Sequence, residues 1–306
     1  MSIQWFPGHM YKARKQIEKI IFQVDLIIEV LDARIPYSSE NPMIADLRGS
    51  KPTIKVLTKS DLADPTVTEQ WLSFFEKENN VKARSLSIDT PEYTRQLTDL
   101  IRKLLPEKEK SHKTINVMIM GIPNVGKSTL INTLAGKSIA KTGNEPAVTK
   151  GQQRINLRNG IMLWDTPGML WPKVENDNSS YRLATTGAIK DTAMSYDDVA
   201  FFAVGFFLEL YPDLLVKRYN LDPLPNTEIE FLELVGKKRG CLVSGGHVDY
   251  EKISKIILSE FRSGLIGRIS LETPPVMLRE EKEVALKILK RNEEKALKKE
   301  SKKRKR

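Results

Sequence analysis

The chain has 306 residues, of which 40% are hydrophobic and 29% charged, which suits one large or two ordinary domains with a well-solvated surface. Its net charge of +10 is unevenly placed: residues 279–306 carry thirteen Lys and Arg against six Asp and Glu, so the rest is near neutral. One cysteine, Cys241, excludes an internal disulfide and suits a reducing compartment; without a secretory signal pattern or an apolar run of roughly 18 residues, a soluble cytoplasmic protein with no membrane partner is expected.

In chain order, residues 11–22 place Ile17, Ile20 and Ile21 at helical spacing among basic residues. Residues 25–31 read as a buried strand running into the loop Asp32-Ala33-Arg34-Ile35-Pro36. A second strand, 53–57, ends at Thr58-Lys59-Ser60-Asp61, and a helix is predicted over 67–77. A third strand, 83–88, ends near Asp89-Thr90 and an amphipathic helix over 93–104 follows, before a charged linker at 106–113. A fourth strand, 115–120, runs into a Gly-containing loop with a helix from Lys127. Residues 154–157 and 161–164 form a strand pair about the turn Asn159-Gly160. This alternation predicts an α/β domain with a doubly wound, mostly parallel sheet. Beyond Pro172 the pattern becomes helical, with helices predicted over 181–189, 196–211, 214–219, 229–235 and 250–262. The expected division is 1–174, a nucleotide domain with its N-terminal segment; 175–275, an all-α domain; and 276–306, a basic tail, helical in part or disordered. The stretch 298–306 is low-complexity and read as disordered.

Gly121-Ile122-Pro123-Asn124-Val125-Gly126-Lys127-Ser128 fits G-x-x-x-x-G-K-[ST] between a strand and a helix. In such a loop backbone N–H groups face phosphate oxygens, Lys127 neutralises the β and γ phosphates, and Ser128 offers its hydroxyl to Mg2+, with Val125, Gly126 and Thr129 as neighbouring contacts. Asp165-Thr166-Pro167-Gly168 closes a later strand. Asp165 is placed to hold the magnesium and Gly168 to sense the γ phosphate. In the polar stretch between them, Thr149 is the candidate switch threonine completing the metal shell, with Thr142 as the competing choice.

Base selection separates GTP from ATP. Thr58-Lys59-Ser60-Asp61 resembles N-K-x-D, in which the Asp carboxylate accepts from guanine N1–H and the exocyclic amine; adenine would leave it unpaired. Thr58 stands where Asn is usual, which predicts that the tie from an Asn amide to the base and phosphate loop is lost or weakened. Asp89 and Thr90 are the candidates for the third base element. The base motif precedes the phosphate loop, the reverse of the usual order, so the GTPase domain reads as circularly permuted. A GTP/GDP-binding GTP hydrolase is the expectation, against an ATP-dependent enzyme or a non-catalytic RNA scaffold.

These motifs, together with Trp5-Phe6-Pro7-Gly8-His9-Met10, Asp32 to Pro36, Trp171-Pro172 and Gly187-Ala188-Ile189-Lys190-Asp191, resemble the circularly permuted ribosome biogenesis GTPase A family over residues 1–273. The resemblance implies a factor that assembles the large ribosomal subunit, or its precursor, and binds rRNA in a nucleotide-dependent way. The alternative is a regulatory GTPase or scaffold with another RNA–protein target. A monomer is expected.

Met169 occupies the place where many GTPases carry a water-orienting Gln, and a thioether cannot hold water for attack. Hydrolysis should therefore be slow alone and stimulated by the particle. His9 is the candidate for positioning the water, in a catalytic set with Lys127 and Thr149. Resemblance to potassium-stimulated GTPases makes Asn124 a candidate ligand for K+. The cations Lys190, Lys217, Arg218, Lys237, Lys238 and Arg239 could reach RNA phosphates or form a solvated face. His112 and His247 are read as structural or exposed, and Cys241 as packing.

Overall fold

The computed structural model describes residues 8–87, 92–140 and 153–304, without the side chains of residues 9, 92–94, 296 and 299–304. Six strands, β1 (Leu26–Asp32), β2 (Thr53–Thr58), β3 (Val81–Leu86), β4 (Ile115–Gly121), β5 (Gln153–Asn156) and β6 (Ile161–Asp165), form one sheet in the order β3-β2-β1-β4-β6-β5. All neighbours are parallel except β5 and β6. The central strands β1 and β4 are mostly apolar because both faces are covered. Along β4, Val117 and Ile119 enter one cluster with α5 (Glu92–Leu104) and α7 (Lys127–Ala135), while Met118 and Met120 enter another with Ala13 and Ile17 of α1 (Gly8–Ile20) and Ile44 of α3 (Pro42–Arg48). Helix α4 (Pro65–Phe75) adds Trp71 and Phe75 against Leu31, Leu57 and Ala83. The doubly wound expectation holds.

The remaining described helices are α2 (Pro36–Ser39), α6 (Pro106–Lys110), α8 (Asp177–Thr185), α9 (Tyr196–Leu210), α10 (Pro212–Tyr219), α11 (Glu228–Lys238), α12 (Tyr250–Arg262) and α13 (Pro274–Arg304). Helices α8 to α12 form the expected all-α part. Their apolar faces do not close on themselves: Ala184, Ala188, Ile189 and Phe261 share one buried cluster with Ile122 and Val125 of the phosphate loop.

Three stretches depart from the sequence pattern. The charged linker contains α6, whose Pro106 stands in the first turn, where its missing N–H costs nothing. Helices α2 and α3 have no counterpart in the sequence-based reading, although Asn41-Pro42 is a start signal: Asn41 accepts from Met43 N at 3.0 Å. The tail read as disordered from 298 continues α13 to Arg304. Its base is fixed to α8, where Arg182 makes a two-pronged pair with Glu280 (2.7 and 2.7 Å) and lies 3.4 Å from Glu272, all three buried. Glu272 also accepts from Ser38 N at 2.8 Å, and its carbonyl accepts from Trp71 Nε1 at 3.0 Å. No single helix among the described residues is long and apolar enough to cross a membrane.

Candidate active site

The site lies where the chain reverses its direction of travel across the sheet, at the carboxyl ends of β1 and β4, the usual position for a ligand crevice in such folds. Register brings the motifs together: Asp32 pairs with Thr58, Val30 with Gly121, and Ile119 with Asp165. The base motif on β2 and the phosphate loop after β4 are thus separated by a single strand, despite lying some sixty residues apart in the reversed order.

Helix α7 begins at Lys127 after Gly126, which adopts φ +88° and supplies no side-chain cap. The first-turn amides of α7 therefore have no capping side chain and point to the site with the positive end of the helix dipole. Lys127 is buried and its ammonium lies 2.6 Å from Asp165 Oδ1. The other oxygen, Oδ2, is buried and has no hydrogen-bond partner among the described residues. An orphaned carboxylate oxygen of this kind is costly unless a ligand completes it, and a carboxylate oxygen, with the Ser128 hydroxyl next along the chain from Lys127, is the donor chemistry a hard divalent cation takes. Ser128 and Thr129 are half-buried in the first turn of α7.

Gly168 lies against the phosphate loop, where an added Cβ would stand 3.0 Å from both Cα and N of Pro123, and Met169 N donates to Gly121 O at 3.1 Å. The residue after the D-x-x-G motif turns away from the site: Met169 is buried with Ile17, Met118 and Met120, and Leu170 N lies 3.4 Å from Met10 Sδ. Met10 follows His9 on α1, so the start of that helix abuts the D-x-x-G segment; the His9 side chain lies outside the described residues. Asp89, Thr90, Thr142 and Thr149 also lie outside them.

On the phosphate-loop side the base motif keeps a tie, made by a hydroxyl in place of an amide. The Thr58 hydroxyl reaches the carbonyls of Leu31 (2.9 Å) and Val125, and lies 3.5 Å from where a Cβ on Gly126 would be. A short side chain does the work because β2 ends directly beneath the loop. Lys59, at φ +57°, donates to Asn124 O at 2.6 Å and Asp32 Oδ2 at 3.0 Å. Ser60 is half-buried. The Asp61 carboxylate is exposed and has no partner among the described residues, leaving its acceptors open.

Asp32 and Arg34, which carry no assigned role in the sequence pattern, join the site in the structure. Asp32 accepts from Arg34 Nε (2.9 Å) and Nη2 (2.8 Å) as well as from Lys59, with both Asp32 and Arg34 almost fully buried. Burial pushes the Asp32 carboxyl up, but the Arg34 and Lys59 charges outweigh it and hold it well below the usual carboxylate range. Burial likewise pulls the Lys59 ammonium down, with Asp32 opposing. Arg34 lies 5.0 Å over the Phe261 ring, and its carbonyl accepts from Leu271 N at 2.8 Å. A second link joins the loop to the helices, as Asn124 Nδ2 donates to Gly187 O at 2.7 Å. Arg262 braces that turn by donating to the carbonyls of Ala184 (2.8 Å) and Thr185 (2.9 Å). Asn41 clamps the other side, its Nδ2 donating to Met169 O at 2.9 Å.

The family described as 50S ribosome-binding GTPase matches residues 116–205. The ribosome biogenesis GTPase A of Priestia megaterium is 46% identical over 282 residues, covering 90% of this chain and 98% of that one. This chain belongs to the ribosome biogenesis GTPase A family. Two solved family structures share the fold: the GDP-bound TM YlqF (TM-score 0.61, 28% identity, 85% of this chain and 99% of that one) and GNP-bound YlqF from T. maritima (TM-score 0.60, 29% identity, 86% and 98%). Like them, this family member is a circularly permuted P-loop GTPase that binds GTP and GDP, and the guanine-nucleotide reading stands over its ATP alternative.

Family membership makes the helical cations of interest, and the structure divides them. Arg218 and Arg239 both pair with Glu260 (2.8 and 2.7 Å), and Lys238 donates to Asn220 O at 2.6 Å. Lys190, Lys217 and Lys237 are exposed without a partner among the described residues.

Proposed function

We propose that this GTPase is an assembly factor for the large ribosomal subunit that engages rRNA or a pre-ribosomal particle according to its bound nucleotide. The family match over residues 116–205, described as ribosome-binding, carries this reading. The two links between nucleotide site and helices support it, because a change at the phosphates would reach α8 through Asn124 and Gly187. The helical domain, 175–275, presents Lys190, Lys217 and Lys237 to RNA phosphates, and the basic tail, 276–306, adds non-specific attraction to the same polyanion. The protein acts as a cytoplasmic monomer. Turnover with and without purified large subunits tests the reading: an increase of about tenfold or more is expected, since free hydrolysis lacks a positioned water. Unchanged turnover together with no co-sedimentation would refute it.

Within the site, Asp61 accepts from guanine, the Lys59 stem covers the base, and Asp89 and Thr90 border it. The amides of 124–129 cradle the phosphates, while Lys127 exchanges Asp165 for the β and γ phosphates. Ser128, Asp165 and Thr149 would hold Mg2+, which when bound neutralises phosphate charge. Gly168 responds to the γ phosphate and His9 orients the water; His9→Ala that retained full particle-stimulated turnover would remove that role. Asn124 contributes to a K+ site beside the phosphates, and equal turnover in potassium and sodium would reject it.

A further inference from the structure

Helix α9 is apolar on two faces, and only one is covered. Val199, Ala200, Ala203, Val204 and Phe207 are buried in the core, whereas Phe201 is 42% exposed and Phe202 and Phe206 are half-buried on the outer side. These rings, with Tyr181 of α8, floor a surface cavity of about 460 Å³. Tyr181 and Phe202 stack at 5.0 Å between centroids. The walls are Asp198, Glu209 and Glu228, and the lining contains no basic residue. None of the three carboxylates has an ion-pair partner among the described residues. Gly205 makes room for one of them: a Cβ there would stand 2.6 Å from Glu228 Oε1. A glycine inside a helix is disfavoured relative to alanine, and here it lets a carboxylate lie over bare backbone at the cavity floor.

Aromatic faces with carboxylates at their edges are complementary to one ligand chemistry, an alkylammonium or guanidinium group. The same rim repels phosphate, so this face does not suit the RNA that the cations of the helical domain would meet. We propose that this cavity is the docking site for a Lys/Arg-rich segment of a protein component of the ribosomal particle, with cationic side chains seated on Phe201, Phe202 and Tyr181. The proposal rests on the particle-binding reading above. It gives the helical domain two surfaces of opposite charge, one for RNA and one for protein.

Two measurements on the full chain test it. The first places 4-fluorophenylalanine at position 201 and titrates a twelve-residue Arg/Gly peptide while following the fluorine resonance. A saturable shift is expected that weakens about tenfold or more in the Asp198→Asn, Glu209→Gln double variant. That variant removes charge with little change of shape, and its unchanged unfolding temperature and GDP affinity would show an intact fold. No saturable shift, or the same response to a Gln/Gly peptide, overturns the proposal. The second places a photo-reactive benzoylphenylalanine at 201 in the presence of purified large subunits. A cross-link to a basic stretch of a ribosomal protein, lost in the double variant, supports the site. A cross-link to rRNA or to residues 276–306 of the same chain overturns it, as does bound particle with no cross-link. Absence of particle binding with a positive peptide titration counts instead against the assembly-factor reading.

Discussion

Removing Arg34 should disturb both stability and nucleotide binding, because its guanidinium fills a fully buried junction. It makes two hydrogen bonds to Asp32, lies on the Phe261 ring and reaches Arg262 O at 3.5 Å. Arg34→Ala leaves a buried carboxylate with Lys59 as its remaining cation. Breaking a buried pair from one side costs about 3–5 kcal/mol, and the surviving Lys59 contact places this case near the lower figure. For a chain of 306 residues, about 3 kcal/mol lowers the unfolding temperature by roughly 5 °C. Lys59 should then be drawn wholly to Asp32 and off the Asn124 carbonyl, so GDP affinity should fall about tenfold, the worth of one good hydrogen bond. Arg34→Lys keeps the charge but not the fork, and should recover part of the stability. The pH dependence follows from the sign of the Asp32 shift. Its carboxyl is held below the ordinary value of 3.8, so the pair's stabilisation is present above that value and lost as pH falls through the folded one. The Arg34→Ala deficit should be constant above about pH 5 and shrink in more acidic buffer. Thermal unfolding across pH and calorimetry with GDP read these effects. An Arg34→Ala protein with wild-type unfolding temperature and GDP affinity would refute the reasoning.

Two further perturbations follow from buried polar groups. Burial, then Glu40, raises the Glu29 carboxyl to about 8 against the pull of Lys55. Above its unfolded value of 4.5 the unfolded chain releases a proton that the fold retains, so stability should decline as pH rises, by at most about 1.4 kcal/mol per pH unit, and level off above 8. Glu29→Gln should flatten that decline between pH 6 and 8 in urea titrations, and an unchanged slope would count against it. Asn41→Ala removes the α3 cap and the clamp on Met169 O, with an expected loss of about 2 kcal/mol. It should also speed hydrogen exchange at the amides of Gly168, Met169 and Leu170, and unaltered exchange there would deny the clamp.

The parallel sheet was legible because strands buried on both faces are rich in apolar residues, as β1 and β4 are, whereas β2 alternates Ile54, Val56 and Leu57 with Thr53, Lys55 and Thr58. The phosphate loop was legible because its chemistry demands fixed residues at fixed spacing. What escaped was long-range polar contact. Arg34 and Arg262 are 228 positions apart, and Arg182 and Glu280 nearly a hundred. In a sequence such residues look like ordinary surface charge, and only the packing of α8 against α2, α12 against α9 and α13 against α4 reveals Arg34, Arg182 and Glu280 as buried and Arg262 as half-buried. Thr58 taught the reverse lesson. Judged by side-chain type it weakened the motif, but the distance from the end of β2 to Val125 allows a hydroxyl to suffice. The pattern over 196–211 likewise showed the helix α9 without showing that one of its faces stays open.

The central claim is that Asp61 and Lys127 serve one guanine nucleotide although their order along the chain is reversed. Displacement of a fluorescent GDP by GTP and by ATP, compared in the wild type and in Asp61→Ala, tests it most directly. The account predicts that GTP displaces the probe from the wild type at least a hundredfold more effectively than ATP, about 2.7 kcal/mol, and that Asp61→Ala abolishes most of that preference. Equal displacement by both nucleotides, or an undiminished preference in the variant, would contradict it.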